Sequence, residues 1–483
     1  MREEDLSYFE EDEFKASLAR YEDMLNGGPS AYLDADELTD IAEYYMVNNR
    51  EAEAHECIEY ALKLHPGDVD PLIFKARQEM FKGNLNEARI LRNRIIDQTD
   101  REVYFLNAEL MIREQQAEEA SDYLWQLAET TQEEQALFIY DSACIFLDYA
   151  YYDIAQKWWT WMQRLSPGFK ASLLGAEIFN ASECYKEAIP LLDDALDKDP
   201  YSTKAWNMMA EAQCMEGNFY EAIEAADFAL AIDEHNALAL LLKANSRFHQ
   251  KHYEEAHALY QQYQEKHPSN ELPYLFDGIC LNRMDRTEEA AKQLQKAEKE
   301  AQGISPEQTR IYLEQAFVQS KLHHPDKAIA YLEKACEEDG EDLEYNLLKG
   351  CILLENDMEE KAQDAFHTAI EESRHPEQTK YAIAAAFCEN EQYEKAISLF
   401  LEVMNGDDTE LAPQCFSYLA YCYLRTDDYD NYLHFLKRAG SEDRENAQVI
   451  FGPYYPGVDP EEYYLYAYKQ VNGRFPKDTD SAS

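Results

Sequence analysis

Between Thr203 and Glu234 the chain reads TKAWNMMAEAQCMEGNFYEAIEAADFALAIDE. Apolar residues recur at three- and four-residue intervals up to Met215, break at Gly217-Asn218, and resume the same spacing to about Asp233. That pattern predicts two helices joined by a tight turn. One small residue stands on each, Ala210 and Ala222, twelve positions apart, where two helix backbones can approach closely. The same pair recurs as Ala42 with Ala54, Ala76 with Ala88, Ala108 with Ala120, Ala143 with Ala155, Ala176 with Ala188, and Ala244 with Ala256. It continues as Gly278 with Ala290, Ala316 with Ala328, Gly350 with Ala362, Ala384 with Ala396 and finally Ala420 with Tyr432. Successive pairs are offset by 32 to 38 residues, most often 34, which predicts twelve helix-turn-helix units from about residue 35 to 441.

The units resemble the tetratricopeptide repeat, whose pattern W-x2-L-G-x2-Y…A-x3-F…P is met by Trp206, Met209, Ala210 and Gln213, then Ala222, Ala226 and Ala229. Phe366 and Phe400 supply the aromatic place in other units, and Pro66, Pro167, Pro200 and Pro268 close second helices, since proline lacks the donor that a helix needs. The resemblance covers roughly 400 of the 483 residues. It implies an all-α solenoid, a right-handed superhelix whose concave face, made mainly by first helices, holds a peptide or a partner protein. Two departures stand out: KAEKEAQGISPEQTR lengthens the interval after the eighth unit and predicts a loop over 303–306, and bulky Tyr432 replaces a small residue in the last unit.

On a 3.6-residue helix, the second, fifth, ninth and twelfth positions of each unit lie about 100° round from the stripe that packs the small residues. They predict the groove lining. In the first six units this lining is mixed and reads as solvated: Asp36, Thr39, Glu43, Asp70, Arg77, Glu102, Glu109, Lys170, Glu177, Lys204, Asn207 and Glu211. From the seventh on it is mostly apolar: Leu238, Leu241, Asn245 and Phe248; Leu272, Leu275, Ile279 and Asn282; Arg310, Leu313 and Phe317; Leu347 and Cys351; Tyr381; Tyr421 and Leu424. Left open, that stripe is the kind of patch that marks a binding surface. The alternative is that tight curvature or the chain's own terminal segment covers it. A partner here would be an amphipathic helix or an extended segment, with Asn245, Asn282 and Arg310 setting its register. Lys170, Lys204 and Asn207, with Asn245, approach the carboxylate-clamping set of a peptide-binding variant of the family, but Glu177 and Glu211 on the same stripe would repel a carboxylate.

Charge narrows the partners. The 96 acidic residues outnumber 44 basic ones for a formal charge of −52, which repels phosphate backbones and anionic lipid and favours basic proteins or peptides over nucleic acid or membrane. The plainer reading is a glutamate-rich surface kept for solubility. With 46% hydrophobic residues the chain nonetheless has the means to fold. MREEDLSYFEEDEF has no basic start followed by an apolar run, no stretch is long and apolar enough to span a bilayer, and ten cysteines without a CxxC pair read as reduced core thiols, so the sequence is expected to be cytoplasmic.

No phosphate loop, GxSxG elbow, HExxH helix or paired-cysteine metal site appears, and neither an enzyme nor a cofactor or metal is expected. His249, His252 and His257 straddle a predicted turn at Lys251-His252, with His323-His324 at the equivalent place two units on, which favours a turn preference over ligation. In WWTW at 158–161, Trp159 takes the core position, leaving Trp158 or Trp161 as an exposed aromatic contact.

Both flanks are expected to cap the array. Leu6, Phe9, Phe14, Leu18, Tyr21 and Leu25 suit a helix on the first unit, with Glu3, Glu4 and Asp5 at its start, and residues 1–34 form this cap and a linker. After the repeats, 442–476 form a tyrosine-rich loop and a helix capped by Asp459, with Tyr464, Tyr468 and Val471 facing the last repeat, and 477–483 are a polar tail. Tyr454 and Tyr455, outside that helix, either plug the groove or extend it for a partner. The two functions the sequence supports are therefore a non-catalytic interaction scaffold that holds a peptide or protein in its groove, and an acidic escort or assembly chaperone for a basic client.

Overall fold

A computed structural model describes residues 8–9, 11–28, 32–130, 135–301, 305–339, 344–406 and 411–473. Glu3, Glu4, Asp5 and Leu6, residues 303–304 of the expected loop, and the 477–483 tail lie outside the described residues. Among those described, no strand occurs and the fold is an all-α solenoid. Twelve helix pairs follow one another, from Ala35–Val47 with Glu51–Leu64 to Cys415–Arg425 with Tyr429–Glu442. They are numbered here as repeats 1 to 12.

The small-residue pairs are where the helices of a repeat meet. Every alanine of the twelve pairs is at most 1% exposed. At Gly278 and Gly350 even a methyl group would run into Leu294 and Phe366. The turns are equally regular. Seven residues after the first small residue of each repeat, at positions running from Asn49 to Asp427, φ lies between 57° and 81°. The next residue then donates its N–H to the carbonyl five positions back, as Asn218 does to Gln213 at 2.9 Å. This closes off carbonyls that the end of the first helix leaves open and reverses the chain. Only Gly83 and Gly217 among the twelve are glycine. Second helices end at Leu64, Leu165, Lys198 and Lys266, each two residues before its proline.

The chain divides into two compact units between Leu242 and Lys243, not near residue 303 where the period lengthens. In the first unit a helix, Asp12–Leu25, packs Phe14, Ser17 and Tyr21 inward, while Leu25 is exposed. The Ser17 hydroxyl donates to Glu37 at 2.7 Å and the Tyr45 hydroxyl to Glu22 at 3.2 Å, which ties this helix to repeat 1. The WWTW expectation needs correction: Trp158, not Trp159, is fully buried, with its indole N–H on Ser121 at 3.0 Å. Trp159 sits against Gly175, where an added methyl would run into its indole, and Trp161 packs on Trp125 at 3.9 Å between centroids.

In the second unit His257 is buried and bonded to Asp277, whose other oxygen accepts from Gln293 at 2.7 Å. Lys251 and His323 occupy the left-handed turn position. Beyond repeat 12 come the helix Arg444–Phe451, a tight turn at Pro460–Glu462 and the helix Tyr463–Asn472. Asp459 caps that turn by accepting from Glu461 N at 3.1 Å. The inward face is one position off the expected one: Tyr463 and Ala467 are buried, Tyr464 and Tyr468 half-buried, and Val471 exposed. Tyr463 is drawn inward by its hydroxyl bond to Gln448 at 3.0 Å and by the Tyr455 ring at 5.2 Å.

Candidate partner-binding cavity

First helices of repeats 1 to 6 surround a cavity of about 2470 Å³ within the first unit. The lining follows the second, fifth and ninth positions: Asp36, Asp70, Glu102 and Lys204; Thr39 and Asn207; Glu43, Arg77, Glu109, Glu177 and Glu211. Eleven carboxylates line it against five lysines and arginines. Four of the five positive groups lie against acidic neighbours. Arg77 forks onto Glu109 at 2.7 and 3.1 Å and reaches Glu102 at 3.2 Å, and Lys204 donates to Glu177 at 2.9 Å. Asp36 and Asp70 bring two carboxyls into hydrogen-bonding contact. Burial, then that contact and the charge of Asp36, push Asp70 up to about 7. Burial also raises Asp40 and Glu211, the latter partly offset by a hydrogen bond with Asn180.

The polar register residues are engaged within the chain. Asn207 exchanges amide hydrogen bonds with Asn236 at 3.2 and 3.3 Å. Lys170 is exposed, does not line the cavity, and sits 5.9 Å from the centre of the Tyr140 ring. Of the three residues Lys170, Lys204 and Asn207, the last two line the cavity.

In the second unit the apolar stripe is largely folded into the molecule. Leu275, Ile279 and Leu347 are buried, as is Asn282; Asn245, Phe248, Leu313, Tyr381 and Tyr421 are half-buried, as is Leu241 at the end of the first unit. Phe248 packs edge-on to Phe276, and Arg310 covers the other part of that ring at 4.8 Å. Asn245 accepts from Tyr260 at 2.7 Å. Of the apolar stripe residues only Phe317 and, in the first unit where it lines the large cavity, Leu238 are exposed. The physical reason is close packing within and between repeats: Tyr381, for example, meets Phe400 on the second helix of its own repeat at 5.6 Å and Tyr418 on the next first helix at 5.9 Å. Tyr455 is buried against Tyr432 and Tyr463. Tyr454 is exposed and lines a small cavity of about 370 Å³ with Tyr393, Tyr418, Tyr421 and Cys388.

Repeat 4, absent from the expected lining, contributes Cys144 and Leu147 to the large cavity. Counting the ninth and twelfth positions from Ala143 at the eighth finds both.

The tetratricopeptide-repeat family model matches residues 208–271, which run from the first helix of repeat 6 into repeat 8 across hairpins of the geometry just described. The helix pairs within residues 208–271 are tetratricopeptide repeats, and the pairs on either side share their turn geometry. A curated relative, a DnaJ homolog subfamily C member 3 homolog from Dictyostelium discoideum, is 29% identical over 164 residues, which is 33% of this chain and 31% of the relative. The chain thus spans about a third of the length of that relative. Among solved structures, a tetratricopeptide-repeat protein from Parabacteroides merdae is 14% identical, with 60% of this chain and 97% of that one covered and a TM-score of 0.38. MamA from Desulfovibrio magneticus is 17% identical over 36% of this chain and 97% of its own, with a TM-score of 0.34. The APC/C hetero-tetramer Cut9-Hcn1 is 13% identical over 92% and 95%, also at 0.34. No helix among the described residues is long and apolar enough to cross a membrane.

Proposed function

We propose that this tetratricopeptide-repeat chain is a non-catalytic interaction scaffold that takes a basic segment of a partner protein into the cavity of its first unit. The supporting observation is the size and charge of that cavity. About 2470 Å³ exceeds the roughly 300–1,000 Å³ of a small-molecule site and suits a stretch of polypeptide. The excess of carboxylates favours lysine and arginine side chains on that stretch. The apolar stripe of repeats 7 to 12 is the weaker candidate because Leu275, Ile279 and Leu347 are buried.

The test is binding of the full chain to a peptide array that samples acidic, neutral and basic sequences, repeated with the Asp36→Asn/Asp70→Asn double variant. Enrichment of basic peptides that is lost in the double variant supports the reading. Retained binding that disappears with moderate salt would instead favour an acidic escort whose whole surface engages a basic client. Loss of binding in Phe317→Glu, with the double variant unaffected, would move the site to the apolar stripe.

A further inference from the structure

We propose that Cys388 and Cys422 are a redox-active thiol pair that closes to a disulfide when the chain meets a hydroperoxide. The two residues lie on the first helices of repeats 11 and 12, Pro376–Glu389 and Cys415–Arg425, which pack side by side. Their sulfurs are 3.4 Å apart, with the Cys422 thiol donating to Cys388. Both are free cysteines. A disulfide needs about 2.05 Å between sulfurs, so closure asks for a shift of little more than 1 Å, within reach of side-chain rotation on two adjacent helices.

Access and chemistry distinguish the two members. Cys388 lines the cavity of about 370 Å³ that opens beside Tyr454, whereas Cys422 does not line it and is fully buried behind it. Cys388 therefore meets the oxidant first. The hydrogen bond from Cys422 also holds the Cys388 thiol below its ordinary range, with the charge of Arg425 acting the same way. Cys422 is itself pushed up by that bond and by burial. Elsewhere burial drives Cys57, Cys280, Cys351 and Cys415 up to about 12, which leaves them little thiolate.

The reaction balances with the hydroperoxide as the sole oxidant. The Cys388 thiolate attacks the terminal peroxide oxygen, the O–O bond breaks, and the thiol proton leaves with the departing hydroxide or alkoxide, giving a sulfenic acid on Cys388. The Cys422 sulfur then attacks the Cys388 sulfur, the S–O bond breaks, and water departs with the Cys422 proton. Two thiols and one hydrogen peroxide become one disulfide and two waters. The product ties repeats 11 and 12 together beneath Tyr421 and Tyr454.

The experiment treats the reduced full chain with hydrogen peroxide, alkylates the remaining thiols at intervals and maps the cysteines by peptide mass spectrometry. The expected result is a Cys388–Cys422 cross-link that forms at least about ten-fold faster than Cys57 or Cys280 is oxidised, and that reverts with dithiothreitol. In Cys422→Ser the expected product is a sulfenic acid on Cys388, trapped by dimedone. The wild-type map alone decides the question if that variant fails to fold. Cys388 and Cys422 both remaining reduced while exposed Cys184 is oxidised would overturn the proposal, as would oxidation of Cys388 to the sulfinic acid in the wild type with no cross-link.

Discussion

The hydroxyls of Tyr432 and Tyr455 lie 2.9 Å apart and both side chains are buried. Tyr432 occupies the second-helix position that is alanine in repeats 1 to 11, where the two helices of a repeat meet, and its ring reaches beyond that contact. After repeat 12 the neighbour is the short helix Arg444–Phe451 and the loop behind it, and the larger ring fills that space, meeting Phe451 at 6.2 Å. The departure from the small-residue rule is what fastens the C-terminal segment. Tyr432→Phe should cost about 1 kcal/mol, because the Tyr455 hydroxyl keeps a longer bond to Gln470 at 3.3 Å. Tyr432→Ala should cost about 3–5 kcal/mol through the cavity it leaves. Amide exchange over residues 463–472 checks both: the alanine variant should release protection there first, and equal loss in both variants would contradict the packing account.

Ten of the twelve inter-helix turns place a residue with a side chain in the left-handed region, Ala150 among them at φ 59°. An L-residue pays roughly 1–2 kcal/mol there, while glycine pays less in the fold but more entropy on folding. Ala150→Gly should therefore raise stability by about 0.5–1 kcal/mol. The reverse change, Gly217→Ala, should lower it by a similar amount, since open space surrounds the added methyl and no clash contributes. Thermal melts of the two variants should move in opposite directions; shifts of the same sign would sink the argument.

These turns show where the sequence was readable and where it was not. The alanine and glycine pairs at a spacing of twelve reveal the repeat because close helix approach excludes large side chains, so composition itself records the geometry. The left-handed residues left no such record: the Schellman hydrogen bonds are made by backbone and tolerate Asn, Gln, Glu, Lys, Asp and His. Side-chain periodicity also placed the lining of the first unit, Asp36, Arg77 and Glu109 included. It could not tell that Leu275 and Ile279 lie beneath neighbouring helices, because burial there depends on how closely successive repeats stack. The contact of Cys388 with Cys422 was invisible for a related reason. They stand at the twelfth and tenth positions of their units, offset by two, and only the rotation between repeats brings them together.

Arg77 and Glu109 form an unequal pair. The Glu109 side chain is 9% exposed and that of Arg77 42% exposed. Removing the arginine strands a carboxylate with little water to solvate it, so Arg77→Met should cost about 3 kcal/mol or more. Glu109→Gln removes the buried charge and leaves Arg77 its bond to Glu102, and should cost about 1 kcal/mol. Adding Glu109→Gln to Arg77→Met should recover part of the loss. Urea unfolding of the three variants checks the order, and a double variant worse than the sum of the singles would refute it.

Asp70 gives the first unit a pH dependence of known sign. Its carboxyl titrates near 7 in the fold because burial and the neighbouring Asp36 disfavour its charge, while in the unfolded chain it titrates at about 3.9. The folded state thus holds the proton through a range in which the unfolded state has lost it. Stability from this group is complete below about pH 4, falls as pH rises toward 7, and is flat above. Asp70→Asn has no charge to acquire. The melting temperature of the variant minus that of the wild type should therefore grow between pH 5 and pH 8, and Asp36→Asn should shrink the same difference by removing the repelling neighbour. Using the difference cancels the background from the chain's charge of −52, which all these proteins nearly share. A difference that stays constant from pH 5 to 8 would show that Asp70 ionises freely in the fold. A basic partner seated over Asp36 and Asp70 would reverse the trend by stabilising both carboxylates, so its affinity should rise over the same interval.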